Sequence, residues 1–449
     1  MSNESNFWKS LRELHDKDAV SDVKAHEFMA GVTDDFQISE LSAMSRKQFL
    51  ALLTASASFA AAGCSNYRDR GEIVPYSKKP EEVTPGVVNY YASTCNGCAQ
   101  ACGILVKTRE GRPIKIDGNP DHPVNRGKIC STGQASILNL YDPYRLRAPE
   151  FGAASGKSGT LTWKQADAEI IGHLDSCTQK SKEIALVLHS VLSPTAAKVL
   201  GDFRAKYPTA RVYTYDVFND ANRRRAWELC YGAGELPSID WQKAKIVVAL
   251  ESDFLGKEGM TIEHIRRFTD GRDIMKTKDF NRLYSVEGSM SLTGANADYR
   301  LRLRPDEQLS FVLALVNEIA LVRKKGASKG SIPSQANGIT LREFAAQHSL
   351  SVDVLRHLAD DLVENAGRSI LIAGDVLPVE AHVAVNYLNE ILGNSALYET
   401  GRSVTYTPRS SSSDIESLVD GMKSGRVGVV VHVGANPVFQ LPGEFGYED

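Results

Sequence analysis

The chain of 449 residues has little net charge, −3 at pH 7. A nucleic-acid binder should be basic, so nucleic acid is not an expected partner. No run of about 20 apolar residues occurs, so no transmembrane span is expected. No short internal repeat is visible, and neither a GxGxxG nor a Walker A pattern is present, which argues against nicotinamide dinucleotides and nucleoside triphosphates. Cysteine is sparse, with 7 residues in all, whereas disulfide-dense scaffolds are normally small. The 42% hydrophobic and 24% charged content is ordinary for a soluble globular protein. The length is too great for one core and implies two or three domains.

The few cysteines are placed unevenly. Cys95-x2-Cys98-x3-Cys102 is followed, after 27 residues, by Cys130. A triplet this tight cannot form three separate disulfides, yet three thiolates can wrap three corners of an iron–sulfur cube. Cys130 then closes the fourth corner, and four cysteinates are what a [4Fe–4S] cluster requires. Zinc is a rival, because four cysteines also make a closed tetrahedral site, although zinc knuckles usually come as two CxxC pairs. Disulfides stay open as a third reading because the N-terminus suggests export. Cys177 and Cys230 fall in helical patterns and are expected to be buried structural thiols.

Residues 1–44 form a charged extension with Phe7, Trp8, Leu11 and Leu14 at helical spacing. Residues 45–64 carry the parts of an export signal: Ser45-Arg46-Lys47-Gln48-Phe49-Leu50, an Ala- and Ser-rich apolar stretch, and Cys64. The first string resembles a twin-arginine (Tat) signal with Lys47 in place of the second arginine. Ala61-Ala62-Gly63-Cys64 resembles a lipobox, in which Cys64 is acylated and tethers the chain to a membrane surface. An Ala-rich buried helix is the bland alternative. Residues 65–86, polar and proline-bearing, read as a linker.

Residues 87–144 read as a small β-rich unit. Val87–Thr94, Gly103–Thr108 and Pro113–Asp117 are the expected strands, with a hairpin turn at Glu110-Gly111. Gly97 is expected to supply conformational freedom beside Cys95. Gly118-Asn119-Pro120-Asp121-His122-Pro123 returns the chain toward Cys130, and His122 is expected to hydrogen-bond within that loop rather than act as a ligand.

These residues carry a resemblance. Cys95-Asn-Gly-Cys98-Ala-Gln-Ala-Cys102, with Gly111 through Gly127 and Cys130, is similar to the N-terminal cluster domain of molybdopterin oxidoreductases. The leader around Trp8-Lys9-Ser10-Leu11 upstream of a variant export signal resembles the branch that provides the iron–sulfur (B) subunit of alternative complex III, a quinol:electron-acceptor oxidoreductase. The chain resembles the N-terminal part of that subunit. Its ending at Gly446-Tyr447-Glu448-Asp449, after a strand and turn, is read as a truncation.

The remainder, 145–449, alternates between apolar runs and amphipathic stretches. Ile184–Leu188, Ile246–Leu250, Ser369–Ala373 and Val427–Val433 are expected strands; Thr195–Lys206, Leu309–Lys324 and Val379–Leu392 are expected helices. The fold class is therefore α/β, a small β-rich iron–sulfur domain followed by doubly wound parallel-sheet domains of molybdopterin oxidoreductase type. Two such units are expected, near 160–300 and near 360–449. Ligands of such folds sit at the carboxyl ends of strands. Glu251-Ser252-Asp253-Phe254-Leu255-Gly256, Glu287 through Gly294 with Ala297-Asp298, and Gly434-Ala435-Asn436-Pro437 resemble the pterin-dinucleotide loops of the superfamily.

The resemblance also exposes departures. Cys130-Ser131-Thr132-Gly133 places Thr132 where the superfamily has a lysine between cluster and pterin. No Ser, Cys or Asp is identifiable as a molybdenum ligand, and Tyr215-Asp216-Val217-Phe218-Asn219-Asp220 offers carboxylates without a ligand motif. In the alternative complex III branch the corresponding domain is understood to lack molybdenum. The expectation is thus an iron–sulfur electron-transfer and scaffold subunit without its own catalysis, holding a [4Fe–4S] cluster on Cys95, Cys98, Cys102 and Cys130. Implied partners are a polytopic quinol-binding membrane subunit, cytochrome c subunits and a ferredoxin-like iron–sulfur domain. The implied location is the periplasmic side of the bacterial inner membrane, reached by a Tat-like route and held by lipid. The alternative is a catalytic molybdopterin guanine dinucleotide enzyme of the polysulfide or dimethylsulfoxide reductase type. A lipid-anchored assembly protein with a vestigial cysteine motif is the non-enzyme reading.

Overall fold

The chain divides into two compact units, Met1–Glu81 and Glu82–Asp449. The computed structural model describes Lys47 and residues 83–449, apart from 99, 153–155, 157–158, 192, 216–218, 233–234, 276–277, 279, 326–333, 402–409 and 448–449. The expected extension, the export signal with Cys64, and most of the linker lie outside the described residues. Among the described residues no helix is long and apolar enough to cross a membrane.

The second unit begins with a three-stranded antiparallel sheet, β1 (Val88–Thr94), β2 (Gly103–Arg109) and β3 (Arg112–Gly118), in the order β1-β2-β3. The hairpin between β2 and β3 turns at Glu110 and Gly111, with φ of +51° and +78°. Two consecutive left-handed residues are what a tight turn matched to strand twist needs, and Gly111 supplies one at no steric cost. Strand bounds fall within a residue or so of those expected.

Two parallel sheets follow, and they are interleaved in sequence. β4 (Glu183–Leu188), β5 (Ala210–Thr214) and β12 (Val427–Val433) form one in the order β12-β4-β5. β7 (Ile246–Leu250), β8 (Arg282–Glu287), β9 (Tyr299–Arg302) and β10 (Ser369–Ala373) form the other in the order β10-β7-β8-β9. A short antiparallel pair, β6 (Ser238–Ile239) and β11 (Tyr398–Glu399), stands apart. The expectation of two consecutive units is therefore corrected. Each sheet joins strands from both expected units, because β10 pairs with β7 and β12 with β4.

Both parallel sheets are covered on two faces, which explains the continuous apolar runs. Along β7, Ile246, Val248 and Leu250 enter one core cluster, while Val247 and Ala249 enter another on the opposite face. β4 behaves the same way, with Ile184, Leu186 and Leu188 on one side and Ala185 and Val187 on the other. Successive side chains of a strand point to opposite faces, so a run apolar at every position is buried twice. Helices supply the covering layers: α1 (Trp163–Gln179), α2 (Pro194–Lys206), α3 (Ala221–Tyr231), α4 (Thr261–Asp270), α5 (Gln308–Val316), α6 (Val352–Glu364), α7 (Val379–Leu392) and α8 (Ser412–Lys423). Thr162 caps α1 reciprocally with Gln165, and Gly393, with φ +74°, ends α7. The helix expected over Leu309–Lys324 is α only to Val316 and continues as a π-helical turn over Asn317–Val322. Asn317 Nδ2 there donates to the Ala336 carbonyl at 2.7 Å, a side-chain bond that accompanies the change of helical register. Cys177 on α1 is buried as expected, but Cys230 on α3 is exposed, which corrects its reading as a buried thiol.

Candidate functional site

The strands of the first sheet bring three of the four cysteines to one loop. β1 ends at Thr94 and β2 starts at Gly103, and the amide of Cys95 donates to the Cys102 carbonyl at 2.8 Å, closing the loop base. The conformational demand falls on Ala101, with φ +47°, rather than on Gly97. A Cβ at Gly97 would lie 3.6 Å from the Cys95 sulfur, an ordinary contact, so the expected role of that glycine is corrected.

Asn125, which the sequence motif contains but does not explain, ties the returning loop down. It is fully buried; its Oδ1 accepts from the Gly103 amide at 3.0 Å, and its Nδ2 donates to the Gly103 and Lys128 carbonyls at 2.9 and 2.7 Å. One side chain thereby holds the residue after Cys102 against the approach to Cys130. His122 does what was expected: its Nδ1 faces the Asn125 amide at 3.5 Å, and its ring packs where a Cβ on Gly103 would sit. Cys130 caps the short helix Ser131–Ala135, its sulfur accepting from the Gly133 amide at 3.3 Å.

The four sulfurs share one electrostatic neighbourhood. Burial pushes the Cys102 thiol up to about 11, and the charges of Cys98, Cys95 and Cys130 push the same way. Cys98 is raised by burial first, against a backbone hydrogen bond from Gln100, and by Cys95 and Cys130. Four thiolates placed together repel, so the set is suited to a strongly positive guest that stabilises the deprotonated form. Among the described residues no three His, Cys, Asp or Glu side chains converge closely enough for a single ion. Four neighbouring cysteine thiols are the donor set that a [4Fe–4S] cluster requires.

The cysteine loop docks on the α/β part through Gln100. Its Nε2 donates to Thr261 Oγ1 at 2.8 Å, and its Oε1 accepts from the Ile262 amide at 3.4 Å, at the start of α4. Behind Cys98 opens a cavity of about 1260 Å³, bordered by the residues that follow β4, β7, β8 and β10. Such a position, at the carboxyl ends of parallel strands, is where this architecture binds ligands. Six carboxylates line it: Asp220, Glu251, Asp253, Glu258, Glu287 and Asp375. Arg223 and Lys257 are the lysine and arginine side chains among its described lining residues.

Several of those carboxylates occupy the backbone donors of their own loops. The Gly288 amide donates to Glu251 at 2.9 Å, the Thr293 amide to Asp253 at 3.0 Å, and the Ser291 amide to Glu287 at 3.3 Å. Glu287 also accepts from Ser291 Oγ and Arg300 Nε at 2.6 Å each. Burial opposes its ionisation, but these bonds outweigh burial and hold its carboxyl below the usual range. Glu258 is the opposite case. Burial, and then the charge of Asp375, raise it to about 7, although Ser252 Oγ donates to it at 2.6 Å and the Asp375 amide at 3.1 Å. The chain turns sharply at Glu251, φ +50°, and Gly374 passes so close that a Cβ there would lie 2.0 Å from the Glu251 carbonyl oxygen.

The sequence-expected loops divide. Glu251, Asp253 and Gly256, together with Glu287 and Ser289–Leu292, line the cavity, and so do Asn219 and Asp220; Asp216, Val217 and Phe218 lie outside the described residues. Asp298 instead pairs with Arg272 at 2.5 Å and accepts from the Leu283 amide at 2.7 Å. The Gly434–Pro437 turn follows β12, but Phe439 and Gln440 are the residues it delivers to the cavity. Thr132 is exposed and does not line it. Sequence reasoning missed Glu258, Asp375 and Arg223. Asp375 follows Ala373-Gly374 at the end of β10, and the strand-end rule applied there would have found it.

A four-thiol loop on an antiparallel sheet, docked beside a strand-end cavity of doubly wound parallel sheets, defines an iron–sulfur oxidoreductase architecture. Residues 88–142 match the molybdopterin oxidoreductase Fe4S4 domain. The chain is 23% identical over 314 residues to the menaquinone reductase molybdopterin-binding-like subunit of Nitratidesulfovibrio vulgaris, covering 68% of this chain and 44% of that protein. It is 30% identical over 247 residues to a sulfite dehydrogenase subunit of Allochromatium vinosum, covering 52% of this chain and 24% of the relative. The matched part thus spans less than half the length of these relatives. Residues 88–142 thus form a molybdopterin oxidoreductase Fe4S4 domain, and the two relatives support a member of that family.

Proposed function

We propose that this chain is an iron–sulfur electron-transfer and scaffold subunit of a membrane-attached quinol-oxidising complex of the alternative complex III type. The observation that carries it is the contrast at Cys98, where a complete four-thiol set adjoins a cavity whose phosphate-binding donors are already taken by the chain's own carboxylates. Cys95, Cys98, Cys102 and Cys130 would hold the [4Fe–4S] cluster, which when bound supplies one-electron transfer. Cys130 is oriented by the Gly133 amide, and Asn125 fixes its approach.

Molybdopterin guanine dinucleotide carries a pyrophosphate. In this cavity it would meet six carboxylates and displace Glu251, Asp253 and Glu287 from amides they hold at 2.9–3.3 Å. Anions are bound by free backbone donors and cations, and both are in short supply here. Thr132, uncharged and outside the cavity, adds no compensation. Export by a Tat-like route, a lipid on Cys64, and partners comprising a quinol-binding membrane subunit, cytochrome c subunits and a ferredoxin-like domain belong to the same reading. A relative's description as a menaquinone reductase subunit supports the quinone connection.

The size of the cavity beside Cys98 favours the second reading, a catalytic molybdopterin enzyme. The experiment that separates them is anaerobic quinol addition to the membrane complex, followed by EPR. Reduction of a cluster signal that vanishes in Cys98→Ser supports the electron-transfer reading. Reduction of sulfur compounds or S/N-oxides by the isolated chain with an artificial donor overturns it.

A further inference from the structure

A run of exposed apolar side chains begins just past Cys130. The chain is helical over Ser131–Ala135 and Leu138–Tyr141, and Ser136 and Ile137 between them keep right-handed helical backbone. Helical turns rise about 1.5–2 Å per residue, so Leu138 stands only about 12–16 Å from Cys130. Leu138, Leu140, Tyr141, Tyr144 and Leu146 are all exposed, Leu138 by 67%, Tyr144 by 93% and Leu146 by 74%. Single exposed apolar side chains are ordinary, but a contiguous group of them marks an interaction site.

The segment is tied down rather than loose. Tyr141 Oη donates to the Pro113 carbonyl, and the Arg112 guanidinium sits 4.9 Å from the Tyr141 ring centre. Arg145 Nη1 donates to the Leu140 carbonyl at 2.9 Å, and the Tyr144 amide donates to Asp142 Oδ1 at 2.8 Å. These contacts fix the backbone and anchor it to β3, while the apolar side chains stay in water.

Charge singles out the same surface. The whole chain carries −3, yet residues 126–147 hold Arg126, Lys128, Arg145 and Arg147 against Asp142 alone. Arg112 adds a further cation at Tyr141. All of these cations are exposed. An apolar centre with a basic rim is complementary to an acidic protein face. Its place in the molecule says what kind of protein. Cys130 is exposed whereas Cys102 is buried, and Cys98, the other exposed member of the four-thiol set, borders the large cavity while Cys130 does not. The basic face thus grows from the cysteine corner that opens to solvent outside that cavity.

We propose that the face over residues 126–147 docks an acidic one-electron carrier protein at the Cys130 corner. One electron passes from the reduced centre of the carrier to the cluster; the carrier is oxidised, the cluster is reduced, and no bond or proton moves. The inference rests on the electron-transfer reading, to which it adds where the partner lands and what charge its face carries.

The test titrates the full-length, cluster-loaded chain with a plant-type [2Fe–2S] ferredoxin, a small acidic carrier, by calorimetry over a series of salt concentrations. Binding is expected, and it should weaken steadily as salt rises. Arg145→Glu/Arg147→Glu should weaken it at least about tenfold and flatten the salt dependence. Leu138→Ser/Tyr144→Ser should weaken it severalfold with the salt dependence kept, since the apolar centre carries no charge. Lys198→Glu, an exposed reversal on α2, should bind as the wild type does. The substituted side chains are all exposed, and an unchanged cluster EPR signal checks that each variant is folded. Absence of binding to the loaded chain overturns the proposal, and so does an equal loss in Lys198→Glu. Adsorption to anionic phospholipid vesicles that Arg145→Glu/Arg147→Glu abolishes, with ferredoxin binding untouched, overturns it in favour of a membrane surface. Cluster EPR before titration tests the electron-transfer reading by itself, so its failure is distinguished from failure of the docking face.

Discussion

The cysteine loop and the strand-end loops of the α/β region meet at Cys98, and both are built from groups that bind charge. They differ in what has been left open. In the cysteine loop the backbone is satisfied by the Cys95–Cys102 bond and by the Asn125 side-chain amide at Gly103, while the sulfurs are left to repel one another. In the strand-end loops the side chains satisfy the backbone, with Glu251, Asp253 and Glu287 each on a loop amide. The first arrangement is incomplete without a positive guest. The second is complete without an anionic one. A cavity at the expected place in a fold is therefore weak grounds for the expected ligand, and the bonding state of its donors is stronger.

The largest effect that sharpens this contrast is at the buried sulfur. Cys102→Ser is expected to abolish the cluster, with loss of its EPR signal and iron; retention of a full signal breaks the four-thiol account. Next is Gly374→Ala, whose Cβ would meet the Glu251 carbonyl at 2.0 Å. Backbone against a new Cβ cannot yield cheaply, so a loss of about 1–3 kcal/mol is expected in chemical denaturation, with the cluster signal unchanged. A variant as stable as the wild type would show that the strand-end loops are loosely held.

Glu258→Gln probes the carboxylate-rich side. Its folded value, about 7, lies above the usual carboxylate range. A raised acid stabilises the fold below its unfolded value, and that contribution disappears as pH rises through about 7. Wild-type stability should fall between about pH 4.5 and 7 from this group, and Glu258→Gln should remove that fall. The variant then gains on the wild type by up to about 3 kcal/mol at pH 8 relative to pH 4.5; parallel stability curves would refute the assignment. The smallest effect is Gly97→Ala. The new methyl would touch the Cys95 sulfur at 3.6 Å, so iron content should stay within error of the wild type, whereas loss of iron would mean that the loop needs glycine there.

Much of the fold was legible because doubly buried strands are written as apolar runs. Ile246–Leu250, Ser369–Ala373, Val427–Val433 and the helix Val379–Leu392 fall where the pattern placed them. β8 was not legible, since Arg282, Ser285 and Glu287 break its run; Arg282 and Glu287 are paired with Asp361 and Arg300. The interleaving of the two sheets was hidden for another reason. Pairing of β10 with β7 and of β12 with β4 is a long-range choice, and no local residue pattern encodes it. At the site, cysteine spacing announced the loop, whereas Asn125 and Glu258 matter through partners made in space.

The central claim is that the cysteine corner is filled and the adjoining cavity does not hold a pterin dinucleotide. Combined iron and molybdenum analysis of the purified full-length chain tests it most directly, read with low-temperature EPR after reduction. The account predicts about four iron atoms per chain for a single [4Fe–4S] cluster, with molybdenum far below one atom per chain. One molybdenum per chain would contradict it.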